Sequence, residues 1–154
     1  MSIELFEEKE MELQLYKRLA KNKMDIAKGH FQSGTDLSRQ LSRYINNDNT
    51  NLINELKETY LKRKNLQMYN VIVPSKVSLE FFAELDFCSQ KNETFAEKVA
   101  VELDFHLTQT LKHNPGFGAL KSKKSVLFYY LIQGQFKLVF ETDKLNNHPK
   151  LSLM

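Results

Sequence analysis

The first third of the chain has the apolar spacing of helices. Over residues 3–31, apolar side chains recur at intervals of three, four and seven with charged residues between them, which predicts one long amphipathic helix. Thr35 or Asp36 can cap a second, shorter helix, which the run of Asn and Asp at 46–49 ends. A third helix is predicted over residues 50–67.

At Tyr69 the apolar spacing changes from helical to extended. Three β-branched residues follow shortly after it and Pro74 then stops the segment, so a short strand is predicted over residues 69–73. From Ser75 the apolar spacing is four, four and three, which predicts a helix that ends at the polar stretch 89–92.

One more helix is predicted after this polar stretch. Thr94 and Glu97 have the spacing of a capping box, in which two side chains satisfy two backbone N–H groups reciprocally. The helix should therefore start at Thr94 and end at the Asn-Pro-Gly sequence at 114–116, which is a typical stop signal.

The C-terminal part of the chain has the composition of a β-hairpin. Residues 125–132 and 135–141 are rich in aromatic and aliphatic side chains, and Gln133 and Gly134 lie between them. Residues 144–154 are expected to form a loose tail.

These elements together predict a mostly α fold with a small β component. Its expected parts are N-terminal helices over 1–67, a strand-helix-helix unit over 68–113, and the C-terminal β-hairpin and tail over 114–154. In an alternative monomeric α+β fold, the strand at 69–73 pairs with the hairpin in a three-stranded antiparallel sheet.

Composition indicates an ordinary folded protein of a reducing compartment. The chain has 154 residues, of which 42% are hydrophobic and 27% charged, so it can bury a core without cross-links. Its one cysteine, Cys88, cannot form an internal disulfide, which favours a cytoplasmic location, and its apolar neighbours at helical spacing predict an inert buried thiol. The longest apolar run is seven residues, against roughly 20 for a membrane span, so no membrane partner is expected.

Catalytic and metal-binding patterns are weak throughout. Glu102, His106 and His113 share one predicted helix at spacings of four and seven, but no further close ligand accompanies them. A partly buried or solvated histidine is the better interpretation. No acid-base pair or nucleophile arrangement stands out. We therefore expect no enzymatic activity and no cofactor.

Positive charge is unevenly distributed along the chain. The net charge is only +3, but residues 15–76 carry twelve positive and five negative charges, a net +7. Two basic clusters either face phosphate groups or form ordinary solvent-exposed surface: Lys62, Arg63 and Lys64, and Lys121, Lys123 and Lys124.

The sequence MYNVIVPSKVSLEFFAELDFCSQKNETFAEKVAVELDFHL at 68–107 combines a strand that ends in Pro, a helix, a polar turn closing on Thr, and a second helix. In this order it resembles the ribbon-helix-helix family of DNA-binding proteins, to which the Arc and MetJ repressors belong. The resemblance implies a homodimer, in which the same strand of a second subunit pairs antiparallel and the ribbon enters the major groove of double-stranded DNA.

The resemblance also assigns roles to particular residues. Side chains alternate along a strand, so Tyr69, Val71 and Val73 should point into the core. The outward positions, where the family has its base-reading residues, are Met68, Asn70 and Ile72. The Asn70 amide suits bidentate pairing with adenine.

Phosphate contacts are expected beside this strand. Thr94 and Phe95 lie at the start of the second helix, where the family binds a phosphate through backbone N–H groups. Four basic residues flank the strand in sequence: Lys62, Arg63, Lys64 and Lys76. The expected function is a DNA-binding regulator, such as a repressor, an antitoxin or a plasmid-maintenance protein.

A different class of function is a non-enzymatic protein-interaction module, such as an inhibitor or immunity protein. In this alternative, Phe128, Tyr129 and Tyr130 form an exposed aromatic surface on the C-terminal hairpin and dock on a protein partner. Aromatic residues are enriched at the centres of protein interfaces.

Overall fold

The computed structural model describes residues 3–61, 70–113, 119–120, 127–143 and 148–153. Helices make up most of these residues and strands a smaller part, which confirms the predicted fold class. The helices are α1 (Ile3–Ala27), α2 (Gly34–Leu41), α3 (Thr50–Tyr60), α4 (Ser75–Lys91), α5 (Glu93–Phe105) and α6 (Leu111–His113), with a 3-10 turn at Ser42–Tyr44 and a π-helical segment at His106–Thr110. The strands are β1 (Phe31–Ser33), β2 (Ile72–Pro74), β3 (Ala119–Leu120), β4 (Leu127–Ile132), β5 (Phe136–Asp143) and β6 (His148–Leu153).

Helix α1 ends four residues before the predicted end. Gly29 has a φ of +81°, its N–H donates to the Ile26 carbonyl, and the His30 N–H donates to the Asp25 carbonyl. These two bonds form the Schellman motif that terminates helices at a left-handed residue. Phe31, predicted as the last helical residue, therefore begins strand β1 instead.

Two predicted helix caps are wrong. Ser33, and not Thr35 or Asp36, caps α2, because its hydroxyl accepts from the Asp36 N–H. Asn92, and not Thr94, caps α5 through a bond from the Phe95 N–H. Asn92 accepts from the Phe95 N–H and starts the helix at Glu93, so Thr94 already lies inside the first turn and does not act as the cap.

Other boundaries also differ from the prediction. Helix α3 ends at Tyr60, and residues 62–69 lie outside the described residues. Strand β2 ends with Pro74 rather than before it, since Pro74 is also the residue that precedes the first turn of α4. The predicted stop sequence at 114–116 lies outside the described residues, and the last described helix before it ends at His113.

The predicted C-terminal hairpin is confirmed. Strands β4 and β5 pair antiparallel from Leu127↔Glu141 to Ile132↔Phe136, and Gln133 and Gly134 both have positive φ at the turn. The predicted loose tail is wrong over 148–153, because β6 pairs antiparallel with β5 along its whole length. The long strand β5 offers a second edge whose backbone groups need partners.

All strands belong to one sheet, in the order β1-β2-β6-β5-β4-β3. Strand β2 pairs antiparallel with β1 over three residues, and parallel with β6 at the single pair Ile72↔Lys150. The expectation that a second subunit supplies the partner of this strand is therefore wrong, because both edges of β2 are occupied by the same chain. The alternative prediction is closer, although β2 reaches the hairpin through β6 and the sheet has more than three strands.

Helices α2, α4 and α5 pack on one shared core, while Leu19 of α1 packs with Val139 in a second, smaller cluster. Side chains from α2, α4, α5, β2, β4 and β5 join a single buried cluster, whose largest fully buried members include Phe81, Leu85, Leu107, Leu138 and Phe140. Cys88 is buried at the edge of α4, as predicted, and burial raises the pKa of its thiol. Within the described ranges, no helix is both long and apolar enough to cross a membrane.

Candidate nucleic-acid interface

The chain contains two successive strand-helix-helix units. The first consists of β1, α2 and α3, and the second of β2, α4 and α5. Each strand is three residues long, and each runs into its helix without an intervening loop. Helix α5 packs against α3 as well as against α4 and α2, so the helices of both units share the core behind the two strands.

The two strands form an antiparallel ribbon with local two-fold symmetry. Their register pairs Phe31 with Pro74, Gln32 with Val73, and Ser33 with Ile72. At one end the Gly34 N–H donates to the Val71 carbonyl at 2.9 Å, and at the other end the Ser75 N–H donates to the His30 carbonyl at 3.0 Å. In each bond, the first residue of a helix donates to the residue just before the opposite strand.

The inner face of the ribbon lies on the core. Directly opposed residues of an antiparallel pair share a face, so Gln32 and Val73 point the same way. Val73 is fully buried, and the Gln32 amide donates to the Ser78 hydroxyl on α4 at 2.7 Å. The burial of Val71 and Val73 confirms the predicted alternation of side chains in this segment.

The outer face of the ribbon is open. We call it the ribbon face and define it by Phe31, Ser33, Asn70 and Ile72. Phe31 is 44% exposed, Ser33 and Asn70 are exposed, and Ile72 is half-buried. A shallow groove of about 290 Å³ runs over this face and is bounded on one side by Lys112 from α6.

Three lysines lie in the groove wall or next to the ribbon strands in the chain. Lys112 is half-buried in the wall of the groove, Lys76 is exposed in the first turn of α4, and Lys28 is exposed just before β1. One acidic residue near the ribbon, Asp36, lies 3.7 Å from the guanidinium of Arg39 within α2. The local charge is thus suited to an anionic ligand.

The structure does not bring all the predicted site residues together. Met68 and the basic cluster Lys62, Arg63 and Lys64 lie outside the described residues. Asn70, Ile72 and Lys76 lie on or beside the ribbon, whereas Thr94 and Phe95 lie in the first turn of α5.

Phe95 is unsuited to hold a phosphate. Its N–H already donates to the Asn92 side chain at 3.1 Å, and its ring is half-buried with its centroid 6.5 Å from that of Phe136. Thr94 remains exposed at this helix start.

Sequence reasoning missed the first strand of the ribbon. The sequence predicts Phe31 as the end of a helix and predicts no element at Ser33, because three residues carry too little periodicity to indicate a strand. The signals that could have revealed it are Gly29, which favours the end of a helix, and Ser33 followed three residues later by Asp36.

The proposed aromatic docking surface on the hairpin is also corrected. Tyr130 is only 3% exposed and stacks on His106 and on Phe140, with centroids 4.5 and 5.2 Å away. Tyr129 is half-buried, and the side chain of Phe128 lies outside the described residues. Tyr130 therefore belongs to the core, where an aromatic ring contributes most by burial.

His106 is a buried structural residue. It is fully buried in the π-helical segment, where its ring stacks on Tyr130 and makes a T-shaped contact with Tyr60, and its Nδ1 lies 3.1 Å from the Thr110 hydroxyl. Burial lowers its pKa, although Glu102 acts in the opposite direction. The other histidine considered for a metal site, His113, is half-buried in α6. In the part of the chain that the structure describes, no three His, Cys, Asp or Glu residues form a metal-binding group.

Glu102 connects this cluster to the hairpin. Its Oε2 accepts from the backbone N–H of Gln133 at 2.9 Å and from the Gln133 amide at 2.7 Å, while its Oε1 lies 3.9 Å from the His106 Nε2. A buried carboxylate with these partners stabilises the turn rather than supplying an acid or base to a substrate.

Comparison of this chain with protein-family models, with curated proteins and with solved structures gives no match. The ribbon face is therefore interpreted from its geometry and chemistry alone.

Proposed function

We propose that this protein is a DNA-binding regulator of the ribbon-helix-helix type, in which one chain supplies both strands of the ribbon. The observation that carries this proposal is the antiparallel pairing of β1 with β2, each of which runs directly into two helices. A two-stranded antiparallel ribbon backed by helices is a shape that the major groove of B-DNA accepts.

The ribbon face offers the chemistry needed to contact bases. The exposed amide of Asn70 can donate to N7 of adenine and accept from its N6 amino group in the usual bidentate manner. Rotation of the amide group brings its donor and its acceptor opposite these two atoms. The Ser33 hydroxyl can donate or accept, and Phe31 and Ile72 can contact the methyl group of thymine.

The lysines around the ribbon face supply affinity that does not depend on sequence. Lys112 lines the groove over the face, Lys28 and Lys76 lie close to the ribbon strands in the chain, and the basic cluster at 62–64 lies a few residues before Asn70. Each phosphate that a lysine neutralises releases counterions, so affinity should fall with salt by a slope of about −0.9 per contact on a log-log scale.

The position of the ribbon in the sheet supports access to a groove. Strand β1 is the outermost strand, and β6 meets β2 at one residue pair only. Successive strands of a sheet are on average rotated by roughly 20° to 25°, so the strands beyond β6 are expected to turn progressively away from the plane of the ribbon. A repressor, an antitoxin or a plasmid-maintenance protein, each acting in the cytoplasm, would use such a surface.

The test is the salt dependence of DNA binding by the full chain. Fluorescence anisotropy with a labelled duplex of about 30 base pairs should show affinity falling steeply between about 50 and 200 mM salt. Lys76→Gln and Lys112→Gln should each remove one phosphate contact, so each should make the salt slope shallower by about 0.9 on any DNA sequence.

The matched control is Lys91→Gln. Lys91 is exposed at the opposite end of α4, about 22 Å along the helix from Lys76. Its substitution should therefore leave the salt slope unchanged. Absence of binding at the lowest salt, or equal slopes for all three variants and the wild type, would refute the proposal.

A further inference from the structure

We propose that a single molecule of this protein recognises an asymmetric DNA site, with sequence preference concentrated at one end. This inference rests on the proposed DNA-binding function. A ribbon made from two identical subunits presents the same residues twice and therefore reads a two-fold symmetric site. In this protein the backbone of the ribbon is two-fold symmetric, but the side chains at corresponding positions of the two strands differ.

The two end bonds of the ribbon define which positions correspond. The donors of the two bonds are Gly34 and Ser75, which are 41 positions apart in the chain. The acceptors are His30 and Val71, which are also 41 positions apart. By the same offset, Phe31 corresponds to Ile72, and Ser33 corresponds to Pro74.

Among the described outward positions of the ribbon, the hydrogen-bonding side chains all lie at one end. Ser33 pairs with Ile72, and Asn70 is the next outward position beyond Ile72. Their counterparts in the other half are Pro74, which is buried and has no polar side chain, and Gly29, which has no side chain. Among the outward strand positions of that other end, the exposed side chain is the ring of Phe31.

This arrangement distributes the recognition chemistry unequally. The amide of Asn70 and the hydroxyl of Ser33 can distinguish bases by hydrogen bonding, whereas Phe31 can contribute only apolar contact, such as with a thymine methyl group. We therefore expect one end of the DNA site to be strongly specified, with adenine favoured opposite Asn70, and the other end to be weakly specified.

The same geometry sets the stoichiometry. Both edges of β2 are occupied within the chain, so completing the ribbon needs no second molecule. A complex of one chain with one site is expected, and the protein in it should contribute 18.1 kDa.

The experiment is selection of binding sites from a random duplex library with the full chain, followed by native mass spectrometry of the complex with the selected duplex. The inference expects a motif that is not palindromic and one chain per duplex. A palindromic motif, two chains per duplex, or no sequence preference at all would overturn it. If any of these appeared together with salt-sensitive binding, the proposed function would stand; loss of all salt-sensitive binding overturns both.

Variants assign the two ends of the motif. Asn70→Ala should weaken binding to the selected site by roughly 5- to 150-fold and remove preference at one end only. Asn70→Asp retains the shape of the side chain but loses its donor and adds a negative charge, so it should remove the preference for adenine at that end and also weaken binding to every sequence. Phe31→Ala should change preference at the other end. Far-ultraviolet circular dichroism verifies that each variant is folded, and equal effects of Asn70→Ala at both ends would contradict the inference.

Discussion

The backbone N–H of Gly34 donates to the carbonyl of Val71 at 2.9 Å, and a Cβ at position 34 would lie 2.9 Å from both Cβ and Cγ1 of Val71. Helix α2 therefore starts where the chain approaches β2 most closely, and glycine provides the room for that approach. The contact joins the two strand-helix-helix units at one end of the ribbon.

Gly34→Ala should destabilise the protein by about 1–3 kcal/mol, because the Val71 Cβ is attached to the backbone and cannot move without shifting the strand. The measurement is the free energy of unfolding in urea. Thr35→Ala is the matched control, since Thr35 is exposed in the same helical turn and should change stability little. Equal stabilities of the two variants would contradict the close approach.

The stability of the fold should decrease as the pH falls from about 7 to 5. Burial lowers the pKa of His106 in the folded protein, whereas in the unfolded chain it titrates near 6.5. Between these two pKa values the unfolded state binds more protons, so the stability from the neutral ring is complete above 6.5 and is lost progressively below it. Glu102 faces the ring from α5, and the phenols of Tyr60 and Tyr130 face it from α3 and β4.

Urea unfolding across this pH range measures the effect. His106→Phe retains a ring against Tyr130 and should flatten the pH dependence, although loss of the Thr110 partner lowers overall stability. His30→Gln, at an exposed position, should leave the profile as in the wild type. A profile in which both variants behave alike would show that His106 is not responsible.

Glu97 should stabilise the loop between α2 and α3. Its carboxylate accepts from the backbone N–H groups of Asn46 and Asn47 and from the amides of Asn47 and Asn49, at 2.7 to 3.1 Å. These hydrogen bonds hold its pKa below the ordinary value, so its contribution is present at neutral pH and is lost as the pH falls below about 4.5.

Glu97→Gln should cost about 1–3 kcal/mol at neutral pH, because an amide group then faces the Asn47 amide donor and the charge is lost. Hydrogen exchange at Asn46 and Asn47 should accelerate in this variant. Glu93→Gln, at an exposed position in the first turn of α5, is the control. Unchanged exchange in Glu97→Gln would show that the loop does not depend on this carboxylate.

The Cys88 thiol should react slowly with a disulfide reagent under native conditions. It is buried, and burial and the nearby Glu84 both raise its pKa, so little thiolate is available at neutral pH. Labelling should accelerate in parallel with unfolding as urea is added. Rapid native labelling, at a rate independent of urea, would contradict the burial.

Elements with long local periodicity can be predicted from the residue pattern. Helices α1, α4 and α5 repeat apolar residues over many turns, and the hairpin of β4 and β5 concentrates β-branched and aromatic residues around a turn. The alternation that buries Val71 and Val73 is equally local. Each of these patterns depends on residues a few positions apart, so it can be recognised without knowing the rest of the fold.

The ribbon and its partners depend on contacts between segments that are far apart in the chain. The three residues of β1 form a strand because β2, about 40 positions away, satisfies their backbone groups, and β6 forms because β5 has an open edge. Glu97 has the spacing of a capping box but binds a loop about 50 positions earlier, since that loop brings four donors to it. The two strand-helix-helix units show no repeat in the sequence, because α2 and α4 differ in length and in their apolar residues. Hydrogen bonds between distant segments leave no period in the sequence, and these bonds decide where the ribbon forms and what it exposes.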